Sequence, residues 1–299
     1  MEDGINKILT FLEEKPRNII GLRLLRIGFS LALFGKVISE AFVWKFLLTR
    51  AGPNYINEQG YLYEFFFSDF GRFCYVGLSL LGAITLLLDK YFYLGILFCC
   101  ASYMASGLVM QYGHGGHAFA RIMSVYLLLT IPNMSSRKNA NSDMRVTFHN
   151  IGVGALYFQG MIVYFTSGIS KIPGTVWQEG TALYYILSTE RFGFSVLAPV
   201  IENAFIIPIL TYSVIIFQLG FPFMIFSKFP FSIFWALLGI FIHMGIAVFM
   251  GLWLFSLVII SFTLFAISDK EWILLICKSK SLLSKFLPVK RPIASTVEE

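Results

Sequence analysis

The chain has 299 residues, of which 57% are hydrophobic and only 13% are charged, and its mean hydropathy is +0.74. About a quarter of the residues of a soluble domain are charged, so this composition excludes a soluble enzyme, and the apolar excess lies in repeated blocks rather than in one anchor. The net charge of +6 does not point to nucleic acid, because the basic residues are scattered among apolar blocks and gather only in short loops and the C-terminal tail.

Residues 1–18 contain Glu2, Asp3, Glu13 and Glu14 and do not read as a cleavable signal peptide. Ile5, Ile8, Leu9 and Leu12 fall at helical spacing, which predicts an amphipathic segment lying on the membrane before the first span. Apolar runs then predict eight membrane helices, near 19–43, 73–88, 91–110, 117–131, 146–168, 204–226, 232–250 and 252–267. Only Gly251 separates the last two. A continuous helix over both would reach about 54 Å at 1.5 Å per residue, too long for a bilayer, so a break is required near Gly245–Gly251. Residues 268–299 read as a basic cytoplasmic tail. The fold class is therefore all-α, a polytopic membrane bundle of about eight helices over 19–267.

Basic loops stay in the cytoplasm. With the N-terminus inside, fourteen Lys and Arg residues fall on the cytoplasmic side and only Arg50, Arg72, Lys171 and Arg191 in outer loops. Both termini are expected in the cytoplasm, the chain in the plasma membrane with the lipid bilayer as its first partner, and the polar connections 44–72 and 169–203 outside. Cys74, Cys99, Cys100 and Cys277 lack metal-type spacing and read as packing residues. No internal repeat is visible, which argues against a secondary transporter.

Charge inside a bilayer is costly unless paired or wet, so each ionisable residue within a span is a candidate for function. Arg23 and Arg26, near the cytoplasmic end of the first span, are expected to snorkel. Lys36 and Glu40 share one helix face four residues apart and are expected to pair, as a structural ion pair or as part of a site. His114, His117 and Arg121 fall on one face where the fourth span begins among glycines; hydrogen-bonding or substrate-orienting roles fit them better than a metal site, for which no third ligand lies nearby. Lys171 ends the fifth span before Pro173 and Gly174. It reads either as an interfacial lysine or as a desolvated amine able to act as base or nucleophile. Trp177, Glu179, Tyr184 and Tyr185 follow in a segment fit for a short helix along the outer interface. His243 lies within the seventh span, and His149 at the cytoplasmic end of the fifth is expected to be structural.

The run YFTSGISKIPGTVWQEGTALYYILSTERF from Tyr164 to Phe192 resembles the signature of the HTTM superfamily, the transmembrane domain shared with vitamin K-dependent gamma-carboxylases. The block FIHMGIAVFMG around His243 resembles a second element of that family, and Ser170 stands where the animal enzymes carry another lysine. Within the superfamily the stretches GGHAFARIMSVYLLLTIPNMSSRKNAN and WQEGTALYY are most similar to members that act in the maturation of a secreted antimicrobial toxin peptide. The resemblance implies carboxylase-like chemistry in which Lys171 deprotonates a reduced quinone with O2 and CO2 as co-reactants. It also implies a secreted peptide precursor, and a soluble accessory protein, as partners. The candidate catalytic set is Lys171, His243 and His114, with His117, Arg121, Trp177, Glu179 and Tyr184 as substrate or cofactor contacts. A non-catalytic partner or tolerance protein for such a peptide is the competing reading, and a quinol-using enzyme unrelated to toxins is a third.

Overall fold

A computed structural model describes residues 12–48, 65–66, 68–108, 115–131, 143–189 and 202–286. Among these residues the regular secondary structure is helical: α1 (Ile19–Leu48), α2 (Asp69–Leu87), α3 (Phe92–Leu108), α4 (Gly115–Leu127), α5 (Asp143–Ile169), the short α6 (Thr175–Gln178) and α7 (Ala182–Ser188), then α8 (Ile206–Met224), α9 (Phe231–Met250), α10 (Trp253–Phe265) and α11 (Asp269–Phe286). Each predicted span coincides with one of the longer helices. Three of them, α2, α8 and α9, are long and apolar enough to cross a membrane, and α10 with α11 would add a fourth were it one span with a 94° bend.

Local chemistry fixes the helix ends. Ser68 caps α2 by accepting a hydrogen bond from the Gly71 amide at 3.0 Å, and Asp69 adds a carboxylate at the positive end of the helix. Gly251 closes α9 in the left-handed region at φ +66°, where a side chain would be strained; it is the break expected between the last two predicted apolar segments. Ser268 and Glu271 form a reciprocal cap on α11, the Glu271 carboxylate accepting from the Ser268 amide at 3.0 Å and hydroxyl at 2.7 Å. The predicted tail therefore begins as an 18-residue helix, because this cap restarts helical structure immediately after the α10 corner. Of the predicted N-terminal amphipathic segment, 1–11 lie outside the described residues, and 15–18 are not helical.

The longer helices form a closed circuit: α1 packs on α2, α2 on α3, α3 on α4, α4 on α5, α5 on α8, α8 on α9, α9 on α10, and α10 back on α1. The short helices α10 and α4 also meet, bridging the ring. Contacts are close where one partner is small. A Cβ placed on Gly28 would fall 1.6 Å from Ser261 Oγ, and one on Gly160 would fall 2.0 Å from the Phe262 ring. The distribution of polarity inverts that of a soluble protein: Lys36 and Glu40 are 1% and 2% exposed, whereas Phe241 is 71% exposed and Phe158, Ile209 and Phe234 are also on the outside.

Hydrogen bonds identify the two ends of the bundle. At one, Asn18 before α1 donates to the Phe265 carbonyl at the end of α10, and His149 near the start of α5 accepts from the Ile131 amide beyond α4 and bonds the Arg17 carbonyl at 2.9 Å. His149 is thus structural. At the same end Arg26 departs from expectation. It does not snorkel; its guanidinium is buried against Asp89, with Nε 3.0 Å from Oδ1 and Nη2 3.2 Å from Oδ2, and lies 5.2 Å from the centre of the Phe92 ring. Asp89 occupies a left-handed position at φ 54° in the turn between α2 and α3. A short polar residue tolerates that conformation.

Candidate functional site

The Lys171 corner lies at the other end of the bundle. Helix α5 stops at Ile169, the chain turns through 170–173, and α6 and α7 follow as a compact hairpin within the predicted outer loop 169–203. The hairpin is pinned to α8: Tyr212 Oη donates to the Gln178 carbonyl at 2.6 Å, and the Leu183 amide donates to Thr211 Oγ1 at 3.3 Å. Gly180, at φ +72°, makes the turn against Pro208 and Tyr212, where a Cβ would fall 3.0 and 3.1 Å from their side chains.

Lys171 Nζ donates to the Ser167 carbonyl at 2.9 Å and lies 5.2 Å from the centre of the Trp177 ring. Both contacts suit a cation, one at the negative end of a helix and the other over an aromatic face. Half-burial opposes that charge and holds the amine below the ordinary lysine value of 10.5, with no carboxylate among the described residues to offset it. Glu179, two residues beyond Trp177, is exposed and forms no ion pair among the described residues; Tyr184 is exposed and packs edge-on against Tyr185. The structure therefore unites Lys171 with Trp177 and leaves Glu179 and Tyr184 on the outside of the hairpin.

His243 stands elsewhere. Its Nδ1 is 2.7 Å from the Gly239 carbonyl, one turn back on α9, and its ring is enclosed by Tyr164, Phe217 and Phe255 at centroid distances of 6.2, 6.0 and 6.0 Å. Gly239 makes room for this arrangement, since a Cβ there would fall 2.5 Å from Phe217. None of the contacts of Lys171 reaches His243. Phe255 also lies 3.7 Å from where a Cβ on Gly115 would stand, so its ring touches both the His243 side chain and the start of α4. His114 lies outside the described residues.

A third polar centre lies within α1, α2 and α3. Lys36 Nζ donates to Glu40 Oε2 at 2.9 Å and to the Tyr75 hydroxyl at 2.5 Å, and Tyr75 donates in turn to Glu40 Oε2 at 2.7 Å. Ser102 Oγ joins at 3.1 Å from Tyr75 and 3.4 Å from Lys36. The Lys36–Glu40 pairing was visible in the sequence; Tyr75 and Ser102 were not, because no spacing rule links residues on three helices. Tyr103 extends the cluster, its ring 5.4 Å from Lys36 Nζ and 5.9 Å from the His117 ring. His117 thus belongs with this buried centre rather than with Lys171. Arg121, one turn further on α4, is partly exposed and forms no ion pair among the described residues. Among those residues no three His, Cys, Asp or Glu side chains gather as a metal site would need.

Against known proteins, the chain is 28% identical over 161 residues to sporulation-delaying protein SdpB of Bacillus subtilis (strain 168). The match covers 49% of this chain and 48% of that protein, so the chain spans about half the length of the curated relative it matches. No family model matches the chain, and no solved structure matches it.

Proposed function

We propose that this chain is a plasma-membrane protein that takes part in producing or maturing a secreted antimicrobial toxin peptide, and that the Lys171–Trp177 corner is where the peptide meets it. The observation that carries the first part is the similarity to sporulation-delaying protein SdpB, over half of each chain. The HTTM-like run from Tyr164 to Phe192 supports the second, because its described part forms the hairpin that presents Lys171. In this reading 19–267 crosses the bilayer eight times, both termini are cytoplasmic, and loop 169–203 faces outside. Lys171 then meets the peptide as a fixed cation, oriented by the Ser167 carbonyl and the Trp177 ring. A soluble accessory protein completes the proposed set of partners.

A second reading, Lys171 as a general base, rests on the burial that lowers its affinity for a proton. The reduced-quinone chemistry implied by the resemblance does not fit the residues as they stand. Among the described residues, the contacts of Lys171 with Ser167 and Trp177, of His243 with Tyr164, Phe217 and Phe255, and of His117 with Tyr103 share no residue. No step is derived through that group. Deleting the gene from a producing strain and following the peptide by mass spectrometry and growth inhibition tests the proposal. Loss of active peptide supports it, and unchanged output overturns it.

A further inference from the structure

The sequence makes the region after α10 look like a basic cytoplasmic tail, and its first part is a helix turned 94° from α10. Its start is fastened to the end of the bundle. Asp269 accepts hydrogen bonds from the amides of Ile19 and Ile20 at 2.9 Å each, Glu271 accepts one from the Ser232 hydroxyl, and Trp272 Nε1 donates to the Leu264 carbonyl at 3.4 Å. Two turns on, Lys278 Nζ lies 4.7 Å from the centre of the Phe229 ring in the turn between α8 and α9. Helix α11 therefore runs across the bundle end from α1 toward the α8–α9 turn, roughly at right angles to α10.

Asp269 and Glu271, the two acidic residues of Asp269–Phe286, are both used in capping, and the sequence of the helix carries four lysines, Lys270, Lys278, Lys280 and Lys285. Around the helix, Trp272 and Leu275 are half-buried, Ile273 and Ile276 form an apolar edge 55% and 42% exposed, and Lys270 and Lys278 flank Leu274 on the adjoining exposed side, with Lys270 one turn from Ile273. A helix with protein on one side, an apolar edge on the second and lysines on the third matches an element seated between hydrocarbon and water.

We infer that α11 lies in the plane of the membrane surface, with Ile273 and Ile276 in the headgroup boundary and its lysines engaging anionic phospholipid. Lysines near a negatively charged leaflet are attracted to it. The inference rests on the membrane placement of α1–α10, and its test keeps the two apart. The full chain is reconstituted in phosphatidylcholine vesicles with and without phosphatidylglycerol, in a Cys74→Ser/Cys277→Ser background, with bimane attached at Ile273→Cys, Ile276→Cys or Lys270→Cys. Shallow nitroxide lipids should quench positions 273 and 276 most, aqueous iodide should quench position 270 most, and phosphatidylglycerol should strengthen shallow quenching at 273 and 276. The pair Lys270→Gln/Lys278→Gln should abolish that strengthening. Equal iodide quenching at 273, 276 and 270 overturns the inference, as does strongest quenching by deep nitroxides or indifference to phosphatidylglycerol. Phe241→Cys on α9 serves as control: absence of deep quenching there refutes the membrane placement itself.

Discussion

Asp269 caps a helix that begins 250 residues earlier, its carboxylate accepting the Ile19 amide at 2.9 Å. The same carboxylate takes the Ile20 amide through its other oxygen, so one side chain satisfies two unpaired donors at the positive end of α1 and ties it to the α10–α11 corner.

Removing that cap should loosen the end of the bundle. Asp269→Ala is expected to lower stability by about 1–2 kcal/mol, and Asp269→Asn by less, since the amide oxygen can still accept. Thermal unfolding in detergent checks this; an Ala variant as stable as wild type would show that the cap contributes nothing.

Arg26 and Asp89 form a buried pair, so the two sites should not be additive. Arg26→Leu alone is expected to cost about 3 kcal/mol or more by leaving Asp89 without its main partner, while Arg26→Leu/Asp89→Asn, which removes the stranded charge and keeps a side chain suited to the left-handed turn, should recover much of the loss. A double variant at the sum of the singles would contradict the pairing.

In the Lys36 centre the order of effects follows from which group is stranded. Glu40→Leu leaves a buried ammonium without its carboxylate and should be the most damaging; Tyr75→Phe removes one hydrogen-bonded bridge and should cost about 1–2 kcal/mol. A larger loss in Tyr75→Phe than in Glu40→Leu would mean that the hydroxyl, not the charge pair, organises the cluster.

The Lys171 proton gives a pH signature. Burial disfavours the charged form, so between the folded-state value and the ordinary 10.5 the unfolded chain holds more protons than the folded one. Wild type should therefore gain stability relative to Lys171→Met as pH rises through that interval. A difference between the two that stays flat with pH would show that the amine is not desolvated.

The helices were legible because 20-residue apolar blocks announce themselves, and the break at Gly251 because a longer helix could not fit a bilayer. Partners from separate helices were not legible. Arg26 looked like a snorkelling residue because its acceptor, Asp89, sits in a turn 63 positions away; Tyr75 and Ser102 carried no sign of Lys36. Helix α11 was read as tail because its lysines outweighed a cap signal, Ser268 with Glu271, that was present in the sequence. Of the candidate site, the sequence put Lys171 and Trp177 in one candidate set, and the structure sets the Lys171 Nζ 5.2 Å from the Trp177 ring. It also drew His243 and His117 toward them, because depth along a helix can be counted from sequence but the direction a side chain faces across the bundle cannot.

The measurement that bears most directly on the proposed role compares Lys171→Arg with Lys171→Met in a producing strain, with membrane levels of each variant matched and active secreted peptide measured. Arg keeps a cation for the Ser167 carbonyl and the Trp177 ring but cannot be a neutral base. The account predicts that Arg retains most of the output and that Met loses most of it. Full output from Met, or an Arg variant as inactive as Met, would contradict the fixed-cation role; the second result would favour a base.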